Sequence, residues 1–178
     1  NGIVSHNDWF VTLLAAAGDP DIKDELRTGR DLNGTTYKVH LDGHDQLAYL
    51  RGDADESPRQ HFFYVSDDGD LTAMRFDNWK IVFMEQRAVG TLNVWAEPYT
   101  ELRVPKIFNL RTDPFERADI TSNTSFDWLL DRAWVLVPAQ TYVAEMLQTL
   151  AEFPPRQEPA AFNVSKLMEK LQVGISSA

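Results

Sequence analysis

The sequence predicts an α+β fold: a small four-stranded antiparallel sheet packed against a long carboxy-terminal helix, with short flanking helices. Three observations predict it. Residues 71–84 read as a β-hairpin, because Leu71–Phe76 and residues 79–84 are rich in aromatic and β-branched side chains and Asp77-Asn78 supplies the turn. Apolar stretches at 62–65 and 106–110 supply two more strands, the second ended by Thr112-Asp113-Pro114, where Asp favours a turn and Pro fixes φ. Val143, Met146, Leu147 and Leu150 recur at i, i+3, i+4 and i+7, the spacing of an amphipathic helix on a sheet.

The hairpin justifies its central place. Trp79, Ile81 and Phe83 fall on one face of its second strand, and Val82 and Met84 on the other. A strand with two apolar faces is expected to be buried on both sides, inside a layered structure.

Composition narrows the function classes. The 178 residues suffice for one domain with a real core and are too few for a two-domain hydrolase. Hydrophobic residues make up 43%, with five Trp, so the chain is expected to fold. A formal net charge of −10 repels phosphate backbones and anionic lipid heads, which argues against nucleic-acid and membrane-surface roles. No apolar run is long enough to span a bilayer. With no Cys, disulfides and thiolate metal sites are excluded. Asn1-Gly2-Ile3 carries neither initiator Met nor signal peptide, as expected of a trimmed chain.

In chain order, Ser5-His6-Asn7-Asp8 resembles a capping box, with Asp8 placed to reach back to the cap. Trp9, Phe10, Leu13, Leu14 and Ala17 follow at helical spacing, and Gly18 closes the helix. A second helix is expected from Asp19-Pro20, burying Ile22 and Leu26 and stopping at Gly29. Asn33-Gly34 turns the chain, and Tyr37, Val39 and Leu41 alternate as a strand. His40 and His44, with Asp42 and Asp45, invite a metal reading, but Asp42-Gly43 breaks any helix between them, so the segment is read as a structural turn. Leu47 and Leu50 are expected to pack inward from a short helix.

Asp67-Asp68-Gly69-Asp70 lacks the alternating oxygens and twelfth-position Glu of a calcium loop. It fits an acidic turn between strands, or part of a site completed by other loops. Residues 87–104 make a long excursion from the hairpin, and long loops on a rigid sheet often carry binding residues. Asn123-Thr124-Ser125 starts a helix with an apolar stripe of Trp128, Leu129, Ala133, Trp134 and Val137, and Pro138 ends or kinks it and starts another. Phe153-Pro154-Pro155-Arg156 stops the following helix. Asn163 caps a last one carrying Val164, Leu167, Met168 and Leu171. The domain reading is residues 1–61 as linking helices and a short strand, and 62–178 as sheet plus helices. Three sequons, Asn33, Asn123 and Asn163, are compatible with secretion and decide nothing.

The run Ile107-Phe108-Asn109-Leu110-Arg111-Thr112-Asp113-Pro114-Phe115-Glu116-Arg117-Ala118-Asp119-Ile120 resembles the closing signature of the sulfatase family: a strand, an Asp-Pro turn, a Glu two residues on, and Asn or Asp before an aliphatic residue. Arg75 and Trp79-Lys80-Ile81-Val82 resemble that family's hairpin. Asp8-Trp9-Phe10-Val11-Thr12-Leu13-Leu14 resembles its "Asp-x-x-Pro-Thr-Leu" helix, with Val11 replacing Pro. Leu41-Asp42-Gly43 through Gly52 resembles a further segment. The resemblance covers nearly the whole chain and is closest to bacterial arylsulfatases.

It implies the carboxy-terminal subdomain of an enzyme, completing the fold and shaping the pocket rim beside an amino-terminal catalytic domain. By analogy, the 87–104 excursion runs toward the pocket mouth, making Gln86, Arg87, Trp95 and Glu97 the candidate rim residues; a packing loop with Trp95 buried is the competing reading. The resemblance also implies that the parent uses calcium and a formylglycine nucleophile made in a Cys/Ser-x-Pro-x-Arg motif. That motif is absent: Ser57-Pro58-Arg59 has the wrong spacing. No catalytic or metal residue is therefore assigned here, no cofactor is expected in this chain, and hydrolysis by the chain alone is not expected.

Other site types are missing too, with no Gly-x-Ser-x-Gly, Gly-rich phosphate loop or His-Glu-x-x-His, and nothing sets the distance between Glu85 and Glu97 as an acid–base pair. The alternatives are the same subdomain of a phosphonate or phosphate monoester hydrolase, or a free-standing binding module using loop 87–104. The expected partners are the catalytic domain and, in the parent, a sulfate-ester substrate. A severed subdomain would expose an apolar face and could form a homo-oligomer through it. The parent of a bacterial arylsulfatase is expected to be periplasmic or secreted.

Overall fold

The structure, a computed structural model, describes residues 2–88, 90 and 92–156. The helix expected from Asn163 lies outside the described residues.

Four strands form the main sheet: β3 (His61–Val65), β4 (Leu71–Phe76), β5 (Trp79–Gln86) and β6 (Tyr99–Asn109). A separate two-stranded ribbon precedes it, β1 (Arg30–Leu32) against β2 (Thr35–Tyr37). The main sheet is antiparallel throughout, in the order β3-β4-β5-β6, so the predicted hairpin occupies its centre. Phe76 pairs with Trp79 across the tight turn, and Asp77 adopts φ 46°, a left-handed conformation that Asp tolerates better than most residues.

One face of the sheet carries the core. Met74, Ile81 and Ile107 lie side by side across β4, β5 and β6 and are buried against Val135 and Ala139. Those two residues belong to a 3-10 turn (Ala133–Val135) and the long helix α7 (Leu136–Glu152) that covers the sheet. Phe63, Phe76, Trp79, Phe83, Val143 and Trp128 of helix α6 (Ser125–Asp131) pack around this cluster. On the opposite face Ala73 and Phe108 are buried, whereas Val82 and Met84 are only half-buried, so among the described residues the expectation of two buried faces holds in part. The stem of Lys80 helps to cover that face: its ammonium lies 4.6 Å from the Tyr64 ring centroid.

Helix α7 corrects the apolar stripe. Pro138 sits in its first turn, where no intrahelical N–H is lost, so it opens this helix as expected after the preceding one has ended. The sheet accommodates Val135, Ala139, Tyr142 and Val143, while Trp134, Val137, Leu147 and Leu150 are exposed. Similar rotations recur elsewhere. Helix α1 (Asp8–Ala16) buries Val11 and Thr12 and packs Leu14 inward as expected, but turns Trp9, Phe10 and Leu13 outward. Leu50 of α3 (Leu47–Arg51) points to solvent, and Gln46, just before it, is fully buried. Helix α2 (Ile22–Thr28) buries Ile22 and Leu26 as expected, though it begins two residues beyond Pro20. Val11, Ile22 and Leu26 form a second small core on which Val39 and Leu41 pack. Those two residues lie beyond β2, in extended chain rather than in the expected strand.

The excursion after β5 is shorter than its sequence suggests. Only residues 87–98 connect the strands, with a single turn of helix, α4 (Asn93–Ala96), and the pairing resumes at Tyr99. Residues 102–105 bulge opposite Phe83, between the Met84–Glu101 and Val82–Lys106 pairs. Pro105 lies in that bulge, where its missing N–H interrupts no ladder bond, and it makes one long strand read as a loop followed by a short strand.

Candidate functional site

Two polar constructions stand out, one an open groove at an end of the sheet and the other a sealed cluster beneath α1.

The groove is a cavity of about 570 Å³ between the β3–β4 turn and the 87–98 connection. Ser66, Asp67 and Asp68 line one side; Gln86, Trp95 and Glu97 line the other, with Tyr99 at the start of β6. The acidic turn is wound on Ser66, whose Oγ accepts bonds from the amides of Asp68 (3.2 Å) and Asp70 (3.1 Å). Gln86 ties the other wall: its Nε2 donates to the carbonyls of Val94 and Glu97, both at 2.6 Å. One amide thus clamps both ends of the helical turn that carries Trp95. Trp95 itself is 81% exposed, so it is not the buried centre of a packing loop.

The structure therefore brings Gln86, Trp95 and Glu97 to one groove. Arg87 is exposed and does not line it. Asp67 and Asp68, read from sequence as an acidic turn, form its opposite wall. No spacing rule links residues 67 and 95; only the pairing of β4 and β5 brings their flanking segments together. Glu85 is engaged elsewhere, bonded with Asp119 to the Lys106 ammonium at 2.5 and 2.6 Å. Burial pushes that ammonium's pKa down, but the hydrogen bonds to Asp119 and Glu85 outweigh it and raise it.

The sealed cluster centres on Asp8 and Arg59. Asp8 is 1% exposed and Arg59 6%. Arg59 Nε lies 3.0 Å from both carboxylate oxygens and Nη2 2.5 Å from Oδ1. Asp8 also accepts from the amides of Ser5 and His44, each at 2.8 Å, and from Gln46 Nε2 at 3.1 Å. The bond to Ser5 is the reach-back expected of the capping box. Burial pushes the Asp8 carboxyl up, yet the Arg59 hydrogen bond, the two amides and the guanidinium charge hold it down, to about 2. Burial, assisted by the Lys23 and Arg59 charges, holds the neighbouring His44 down to about 4. His40 instead faces Asp42, at 3.3 Å. The two histidines therefore sit in different surroundings, and among the described residues no three His, Asp or Glu side chains gather as a metal site.

The residues of the closing run also acquire structural roles. Glu116 takes both its oxygens to Lys80 Nζ, at 2.7 and 2.8 Å, and thereby ties the run back to the central strand. The Asp113 carboxylate accepts from the amides of Arg117 (3.1 Å) and Ala118 (2.9 Å), starting the short helix α5 (Ala118–Thr121).

Comparison with known proteins agrees with this arrangement. The profile of a family described as the C-terminal region of aryl-sulfatase matches residues 57–171. The chain belongs to that family. Among solved structures it is similar to the PsFucS1 sulfatase from Pseudoalteromonas sp., with a TM-score of 0.67 and 26% identity. The match covers 89% of this chain and 28% of that one, so the chain spans just over a quarter of the solved sulfatase. No curated protein sequence matches it.

Proposed function

We propose that this chain is the carboxy-terminal part of a sulfuric ester hydrolase of the arylsulfatase kind, and that it completes the fold and shapes the substrate-pocket rim without supplying the nucleophile. The family match over residues 57–171 carries the reading. The signature residues support it through what they touch: Glu116 and Asp113 hold the closing run in place by bonds to Lys80 and to the Ala118 amide. The groove bounded by Gln86, Trp95 and Glu97 is the rim in this reading. The outward face of α1, where Trp9, Phe10 and Leu13 (62% exposed) form an apolar strip, is where the amino-terminal catalytic portion docks.

Formylglycine and calcium belong, in this reading, to that amino-terminal portion. The chain has no Cys and no Ser-x-Pro-x-Arg, and the described residues offer no ligand set for the ion. What this chain does in the reaction is position and enclose. The test is hydrolysis of a chromogenic aryl sulfate by this chain and by the full-length parent after formylglycine maturation. Turnover only in the parent is expected. Reproducible turnover by the isolated chain would overturn the proposal.

A further inference from the structure

The rim groove has a chemical character that enclosure alone does not explain. Among the described residues its lining holds three carboxylates, Asp67, Asp68 and Glu97, and no Lys, Arg or His. One carboxylate oxygen, Asp68 Oδ1, is closed off from solvent and has no hydrogen-bond partner within the described residues. Aromatic surface is offered at the same place by Trp95 and Tyr99, both exposed. The backbone presenting Trp95 is clamped at both ends by Gln86, so the ring is offered from a fixed base.

Each component selects for a different property of a ligand. An exposed indole buries the apolar C–H face of a saturated ring and need not reorganise to do so. Carboxylates accept hydroxyl hydrogens in short, charge-assisted bonds, roughly twice as strong as neutral ones. A negative lining repels an approaching anion, and discrimination between two ligands is often built from such repulsion. Polyanion recognition relies instead on guanidinium forks and ammonium groups, which this lining lacks. Arg87, adjacent in sequence, is outside the lining.

We infer that this groove receives a hydroxylated ring of the substrate bearing no anionic substituent, and that it turns away a ring carrying a second sulfate. The inference rests on the reading of the 87–98 connection as the pocket rim, and its test needs no turnover. The chain, labelled with ¹⁵N, is titrated with a panel of neutral methyl pyranosides and their 6-sulfates at low salt, following the Trp95 indole and Gln86 side-chain amide signals. Neutral rings are expected to move both signals. Their sulfated counterparts should need on the order of tenfold higher concentration, a penalty of the size expected for unit charges meeting near a surface, and one that narrows as salt is added.

Glu97→Gln and the triple variant Asp67→Asn/Asp68→Asn/Glu97→Gln should narrow the gap between the two probe sets; the exposed Glu97→Gln change keeps the test usable if the triple variant does not fold. Sulfated rings acting at the same concentration as neutral ones, or no neutral ring moving Trp95, would overturn the inference. Loss of activity in the parent would count against the sulfatase reading while leaving this binding result intact.

Discussion

Arg59 and Asp8, 51 residues apart, form a buried bidentate pair that joins the first helix to the loop leading into β3. Arg59 also donates to the carbonyls of Asp42 (2.8 Å) and His61 (3.3 Å), so one guanidinium collects three segments. Removing one partner strands a charge out of water. Asp8→Asn or Arg59→Ala should each cost about 3–5 kcal/mol. The double variant Asp8→Asn/Arg59→Ala should be less destabilised than the sum of the two. Urea denaturation of all three measures it, and full additivity would contradict the pairing.

The same cluster sets an acid response in two steps. His44 has a folded pKa of about 4, below its ordinary 6.5, so protonation favours the unfolded chain. Its contribution is complete above pH 6.5 and is lost as pH falls toward 4. Asp8 follows: its stabilisation is present above pH 3.8 and is lost as pH falls through about 2. Each step is worth on the order of 2 kcal/mol. Unfolding free energy measured against pH should decline in both windows. His44→Gln should shrink the first decline, leaving the part due to His61, whose pKa burial also lowers, while leaving the second unchanged.

Lys80 and Glu116 close the signature run onto the central strand through a partly buried pair. Glu116→Gln should cost about 1 kcal/mol and Lys80→Ala somewhat more, since the stem also covers Tyr64. A double-mutant cycle by thermal melts should return a coupling energy clearly above zero.

Trp95 and Gln86 separate surface from support. Trp95→Ala should leave the stability of the chain within about 0.5 kcal/mol, because the ring is exposed. Gln86→Ala removes two backbone anchors and should raise amide hydrogen exchange across residues 92–97 without altering exchange in β4. Equal exchange in the variant and the parent sequence would show that the clamp does not hold the loop.

The sheet was legible because its signals are local. A turn at Asp77-Asn78 between two apolar runs defines a hairpin without reference to anything distant. Helix faces were harder, since the period locates a stripe only when one side is clearly polar. In α1, Trp9, Phe10, Leu13 and Val11 are apolar almost all round, and the buried side was decided by Asp8 and Thr12, polar residues that bond to His44 and Gln46, more than thirty positions away. Arg59 shows the same limit. Its sequence neighbours Ser57 and Pro58 mark a loop, and nothing local says that its guanidinium will be sealed against a helix. The candidate groove was half visible. Gln86, Trp95 and Glu97 come from one connection, whereas Asp67 and Asp68 join them only through strand pairing.

The bulge at residues 102–105 bears on solubility as well as on register. β6 is an outer strand of eleven residues, long enough to recruit the same strand from another molecule and seed a fibril. Pro105 has no amide hydrogen to offer, and the bulged residues depart from the regular spacing that an incoming strand would have to match. Among the described residues no strand pairs with that edge, and the irregular stretch opposite Phe83 divides it into two runs, each too short to template a continuous intermolecular ladder.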